Sequence, residues 1–314
     1  MKKIITGMIT LSMLLCSCES SISDGVSANA NDEVLSVVCT SFAYYDWTRN
    51  IADGSDINIT YLLADGVDMH SFQPTASDMM KITECDLLVC GGGESEDWID
   101  KINRDGPVLR LLDCGALEEE VVEGMQSEEE HEEESEETEL DEHIWLSPQR
   151  ALICCDEICE ALGAADPRNT DIFNNNTAKY KEKLSALDSD YRSVASMPNK
   201  TIIVADRFPF RYLTNDYGLD YYAAFPGCSA ECEASFETVT FLTEKCIETN
   251  TATLFKIDGS DGRLADTVAG GCTKTPAIAE LDSMQSVSGD DINSGTDYIS
   301  IMENDLAAIK TALS

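Results

Sequence analysis

Six apolar side chains, Phe173, Tyr180, Leu184, Leu187, Tyr191 and Val194, recur at steps of seven, four, three, four and three residues. That spacing lays them along one face of a continuous helix. Asp166-Pro167 supplies an N-cap followed by the first helical position, and Pro198 stops the pattern. A helix of about 26 residues is about 39 Å long, enough to cross the whole molecule. Every other element has to be arranged around it.

On either side of this stretch, short β-branched runs alternate with helical ones. Before it, strands are expected at Leu35 to Cys39, Ile57 to Leu63, Asp86 to Cys90 and Val108 to Asp113. Helices fall between them at Ala43 to Ala52, at Ser77 to Glu84 with Ser77 as N-cap, and around Trp98 to Ile102, and another follows at Gln149 to Gly163. Behind it the scheme repeats, with strands at Thr201 to Ala205, Tyr221 to Phe225, Thr253 to Ile257 and Ala277 to Leu281. Helices there are Phe210 to Tyr217, Phe236 to Thr249, Arg263 to Ala269 and Asp297 to Leu313. The expected fold is therefore α/β: two lobes with central parallel sheets flanked by helices, residues 34–165 and 199–314, joined by one long rigid helix, residues 166–198. In such sheets ligands bind beyond the C-terminal ends of the strands.

Charge excludes one class of partner. With 59 acidic against 21 basic residues the formal charge is −38, which repels nucleic acid and concentrates cations. Fifteen of the twenty-five residues from Glu118 to Glu142 are acidic, so this segment is expected to be a solvated loop. Gly91-Gly92-Gly93 reads as a tight turn, because Glu94, Glu96 and Asp97 behind it would repel a phosphate.

The N-terminus reads as a targeting segment. Lys2 and Lys3 precede an apolar run, Ile4 to Leu15, too short to span a bilayer. Leu15-Cys16-Ser17-Cys18 resembles the lipobox of bacterial lipoproteins, which implies a signal peptide over residues 1–17 and a lipid anchor on Cys18. Residues 18–33 have the composition of a flexible tether. The thirteen cysteines show no disulfide plan, and Cys228 with Cys232 makes a lone C-x-x-x-C, half of a metal-binding pattern, read here as structural.

The chain has only three histidines. His131 lies inside the acidic run, while His70 and His143 each follow a strand of the first sheet and precede a proline. Two neutral imidazoles from one lobe with one or two carboxylates from the other would hold Zn²⁺, or with more oxygen ligands Mn²⁺ or Fe²⁺. The second lobe's strand ends offer Asp206, Glu231, Glu233, Asp258 and Asp261.

Three motifs carry a family resemblance. Gly66 to Asp78 is similar to the G-x-x-x-H-x-[FY]-x-P-x-x-x-D stretch of the zinc- and manganese-specific substrate-binding proteins of bacterial ABC importers. Asp141-Glu142-His143-Ile144-Trp145-Leu146-Ser147-Pro148 resembles their D-x-H-x-W-x-x-P, and Asp46-Trp47 their early D-W pair. The likeness runs from about Val34 to the C-terminus. It implies a metal between two lobes, with His70 and His143 as ligands, a charged loop before the second histidine, and delivery to a permease and its ATPase. Against Phe210-Arg211-Tyr212 the family's third ligand falls on Arg207, which cannot ligate a metal. Either Asp206 takes over, or water completes a three-ligand site, or Arg207 pairs with a carboxylate. The family's acidic ligand falls on Asp258 or Asp261, and Glu233-Ala234-Ser235 resembles a structural E-P-S.

The expected function is an extracytoplasmic, membrane-anchored monomer that binds Zn²⁺, with Mn²⁺ as the alternative cargo, and passes it on. The acidic loop would capture cations weakly and feed the site. The competing readings are a manganese- or iron-specific binding protein, and an adhesin or interaction lipoprotein whose metal is structural. No enzyme is expected, since no H-E-x-x-H or comparable arrangement is present.

Overall fold

The computed structural model describes residues 34–115, 117–120, 140–228 and 234–314. The leader with Cys18, the tether, His131 and most of the acidic run, and Glu231, Cys232 and Glu233 lie outside the described residues.

The first sheet has the order β2-β1-β3-β4, formed by β1 (Leu35–Cys39), β2 (Ile57–Tyr61), β3 (Leu87–Cys90) and β4 (Val108–Arg110). The second repeats that order as β6-β5-β7-β8, from β5 (Thr201–Phe208), β6 (Asp220–Pro226), β7 (Thr253–Ile257) and β8 (Ala277–Leu281). All pairings are parallel. The sequences explain the order. Leu-Leu-Val-Cys of β3 is buried throughout and β1 nearly so, as strands covered on both faces must be, whereas β2 and β8 keep polar, half-exposed positions at the sheet edges.

Helices α1 (Phe42–Ile51), α2 (Ala76–Glu84) and α3 (Pro148–Ala165) belong to the first half. Helices α5 (Arg211–Tyr217), α6 (Phe236–Glu248), α7 (Arg263–Gly271), α8 (Gly289–Asn293) and α9 (Tyr298–Ala312) belong to the second. Between them α4 (Thr170–Arg192) has 23 residues, about 35 Å. It is shorter than the expected span because Pro167–Asn169 and Ser193–Ser196 form separate 3₁₀ turns at its ends. Asp166 caps the first of these by accepting the Arg168 N–H.

The predicted stripe of α4 is buried: Phe173, Tyr180, Leu184, Leu187 and Tyr191 all belong to the main core, and Val194 follows in the 3₁₀ turn. Its tyrosines reach both halves. Tyr180 Oη donates to Asp46 Oδ2 of α1 at 3.1 Å, and Tyr191 Oη to the Met302 carbonyl of α9 at 2.8 Å. The terminal helix in turn reaches the first half, where the Tyr298 ring stands edge-on to Trp47 at 5.2 Å.

Several local expectations change. Helix α2 starts one residue early, because Thr75 and Asp78 form a reciprocal capping box and Ser77 lies inside the helix. The helix expected around Trp98 is a single 3₁₀ turn, Ile99–Lys101. Strand β4 stops at Arg110 and passes into another 3₁₀ turn, Leu111–Cys114. Helix α8 was not expected; it rests on a capping box between Ser288 and Asp291.

Candidate metal centre

His70 is positioned by its own turn. After β2, Asp68 caps a one-turn 3₁₀ helix, Met69–Ser71, its Oδ1 accepting the His70 N–H at 2.9 Å. Buried Met69 anchors the turn from below. The other carboxylate oxygen of Asp68 accepts from Arg207 Nη2 at 2.6 Å, tying this turn to the end of β5. Burial alone would raise the Asp68 carboxyl, but the hydrogen bond and charge of Arg207 outweigh it and hold it below its ordinary value.

His143 is fixed still more firmly. Leu140 bridges Glu119, and Asp141 N–H donates to the Glu118 carbonyl at 3.0 Å, so the two ends of the acidic segment are joined at its foot. Asp141 Oδ1 then accepts the His143 backbone N–H at 2.8 Å and lies 3.1 Å from ring Nδ1. A proton on Nδ1 donated to that carboxylate leaves the Nε2 lone pair facing inward. The ring is 0% exposed and backed by Trp145, 5.2 Å away and edge-on. Gly227, behind β6, lies against its other side, where a Cβ would stand 2.8 Å from Cε1.

The two rings meet at their Nε2 atoms, 3.0 Å apart. Two unprotonated ring nitrogens at that distance repel unless a proton or a cation lies between them. Protonating His70 is disfavoured here. Burial first, then the neighbouring His143, push His70 down to about 3; Asp68 pulls the other way, and Arg207 adds a smaller push down. Neutral imidazoles are metal ligands, so the pair is poised for a cation. Buried carboxylates stand close by: Glu142 accepts the Ser95 N–H at 2.8 Å and also its hydroxyl, and Asp141 is 1% exposed.

Of the expected ligands, the structure brings His70 and His143 together. Arg207, at the position of the resemblance's third ligand, pairs with Asp68, the third alternative left open by the sequence. Asp206 accepts the Arg207 N–H at 2.9 Å beside a bulge in β5. Asp258 accepts the Ser283 N–H at 2.7 Å, its hydroxyl at 2.6 Å and the Ser286 hydroxyl at 2.8 Å, fastening the loop after β8. Asp261 is paired with Arg263 at the surface. Among the described residues, the group of ligand atoms lying within 4.8 Å of one another comprises His70, His143 and Cys228, without these three aspartates.

Two neighbours of the histidines were missed in the sequence. Cys228 follows β6 at the same sheet edge that the strand-end rule singles out, but its spacing to Cys232 drew attention away from the histidines. Burial, then the carboxylates of Glu120, Glu142 and Asp141, push its thiol up. Gln285, 3% exposed, sets its amide nitrogen 3.1 Å from His70 Nε2, and no motif announces it.

The sequence matches, over residues 37–312, the family described as zinc-uptake complex component A, periplasmic (ZnuA). It is 31% identical over 292 residues to the zinc-binding lipoprotein AdcA of Streptococcus pneumoniae, covering 89% of this chain and 56% of that protein. The chain thus spans about half the length of that relative. It is 29% identical over 310 residues to the high-affinity zinc uptake system protein ZnuA of Bacillus subtilis, covering 96% of this chain and 94% of that one. Among solved structures it is similar to the Zn(II)-bound ZnuA-like domain of Streptococcus pneumoniae AdcA, with a TM-score of 0.72 and 27% identity over 89% of this chain and 99% of that one. The fold is also that of the periplasmic zinc-binding protein TroA of Treponema pallidum, with a TM-score of 0.74 at 22% identity over 90% of this chain and 99% of that one.

Proposed function

Because the chain belongs to the family of the periplasmic component A of zinc-uptake complexes, we propose that it captures zinc outside the cytoplasm and hands it to an ABC permease. Zinc is cargo here. The family is one of transport proteins and is named for uptake, not for catalysis. The observation that carries the reading is the pair of Nε2 atoms 3.0 Å apart, each ring fixed by an aspartate in its own turn. Buried imidazoles with a carboxylate behind one of them are what a borderline-soft divalent cation selects.

Residues 34–165 and 199–314 would act as the two lobes that release the ion and α4 as the connector between them, which fits the contacts of α4 with both halves. Cys18 would carry the lipid that keeps the protein at the membrane. No helix among the described residues is long and apolar enough to cross a membrane. The negative surface would draw cations toward the site and keep them near the bilayer.

The test is metal content by elemental analysis, with zinc titration, of the mature protein and of His70→Ala and His143→Ala. The expected result is one tightly held zinc per chain, lost in either variant. Tight stoichiometric zinc in the double variant would remove the proposed site.

A further inference from the structure

We propose that Cys228 is the third ligand of the cargo ion, as a thiolate, and that the Gln285 amide oxygen is the fourth. This rests on the reading that His70 and His143 hold the ion, and it assigns the half of the site that their motifs leave open.

Three independent observations converge. The first is proximity: Cys228 Sγ and one ring nitrogen of each histidine lie within 4.8 Å of one another. In a tetrahedral zinc site, Zn–N bonds of about 2.0–2.1 Å and Zn–S of about 2.3 Å put the nitrogens about 3.3 Å apart and sulfur about 3.6 Å from each. The nitrogens already stand at 3.0 Å. Closing the remaining gap asks for a movement of about an ångström in the turn after β6.

The second is an orphaned polar atom. Gln285 is 97% buried, its Nε2 sits 3.1 Å from His70 Nε2, and its Oε1 has no hydrogen-bond partner. A cation that takes the His70 lone pair deprives the Gln285 Nε2 group of its acceptor. A half-turn of the amide then exchanges two atoms of nearly equal size and brings the unpartnered oxygen to the ion.

The third is the loop that carries Gln285. Asp258 accepts three hydrogen bonds from Ser283 and Ser286 on either side of it, and Trp145 Nε1 donates to the Ser283 carbonyl at 3.0 Å. Within this clamp Met284 is held at φ +60°, a left-handed conformation that a non-glycine residue seldom adopts. Strain of this kind persists only where the surroundings impose it. Asp258 thereby serves the site by placing Gln285.

This ligand set also accounts for Arg207. A guanidinium stands where the resemblance expects a third ligand and is engaged with Asp68, so the third ligand must come from another strand end. On binding, the Cys228 S–H bond breaks, an Sγ–metal bond forms, and the proton leaves to water. A thiolate favours zinc and cobalt over manganese, so Cys228 would set the selectivity of the site.

Cobalt(II) tests this, because a thiolate ligand gives cobalt a near-ultraviolet charge-transfer band that nitrogen and oxygen ligands do not. The unaltered mature chain with one equivalent of Co²⁺ should show that band together with the intense visible absorption of four-coordinate cobalt. Cys228→Ser should lose the band while still binding cobalt, with zinc affinity reduced at least about tenfold and manganese affinity changed less than about threefold. Gln285→Ala should keep the band and weaken zinc binding. One tightly bound cobalt without the band in the unaltered protein, or a band that survives Cys228→Ser, overturns the assignment and leaves the two-histidine reading standing. A protein that binds neither cobalt nor zinc removes both.

Discussion

Gly227→Ala is the substitution whose effect can be worked most directly from the structure. A methyl group at this position would stand 2.8 Å from His143 Cε1, 3.1 Å from its Nδ1 and 2.9 Å from the Phe208 carbonyl. The carbonyl belongs to the end of β5, in register with β6, and has little room to give. The imidazole must therefore yield, while the 2.9 Å contact with the carbonyl remains as strain that the fold has to absorb. Restoring ordinary contact at 3.4 Å means a displacement of about 0.6 Å, against a ring that Trp145 and Asp141 hold from the other sides. Metal–ligand distances tolerate about ±0.2 Å, so zinc affinity should fall by about ten- to a hundredfold. Overpacking of this buried position should also cost about 1–3 kcal/mol of folding stability. Competition against a chromophoric chelator reads the first effect and urea unfolding of the metal-free protein the second. Gly270→Ala is the control: it lies in α7 with nothing within 4 Å of the added carbon, so it should leave zinc binding unchanged and stabilise the fold by roughly 0.5–1 kcal/mol. A folded Gly227→Ala protein with unaltered zinc affinity would refute the reasoning that this glycine makes room for the ligand ring.

Other consequences follow from the same neighbourhood. Asp141→Asn keeps a hydrogen-bond acceptor for the His143 N–H but removes the charge behind the ring, and zinc affinity should drop about ten- to a hundredfold in the chelator competition. His70 titrates near 6.5 when unfolded and about 3 when folded, so between those values the unfolded chain binds more protons. The His70 contribution to metal-free stability should be complete above pH 6.5 and be lost toward pH 3, by up to about 1.4 kcal/mol per unit, so the stability difference between the unaltered protein and His70→Asn should follow that slope in a pH series of urea titrations. Asp282 behaves in the opposite sense: burial, then the charge of Asp258, raise it from 3.8 to about 7, so its contribution is complete below pH 3.8 and is lost as pH rises through 7. Asp282→Asn should therefore stabilise the protein by about 1–3 kcal/mol at pH 8 and leave it unchanged at pH 4, and equal effects at both would contradict the assignment.

Much of this architecture was legible in the residues because it rests on periodicity. The stripe from Phe173 to Val194 appears in the core, and β7 and β8 have the limits their β-branched runs imply. His70 and His143 could be paired because a parallel sheet gathers its strand ends at one edge. The remainder depended on contacts distant in sequence. Nothing in Asp258-Gly259-Ser260-Asp261 reveals that Asp258 is consumed by the serines after β8 while Asp261 faces Arg263. Cys228 and Gln285 approach the histidines from two further loops, 85 and 215 residues from His143 and His70 respectively, and only the folded sheet order brings them there. Helix ends were misjudged where a side chain decides them, as when Thr75 instead of Ser77 caps α2.

The central claim is that zinc sits between the rings of His70 and His143. Crystals of the mature protein grown with one equivalent of zinc, with anomalous data collected on both sides of the zinc absorption edge, would locate the ion directly. The account predicts one strong peak about 2.0–2.1 Å from both Nε2 atoms. A principal peak among surface carboxylates, with the two rings vacant, would contradict it.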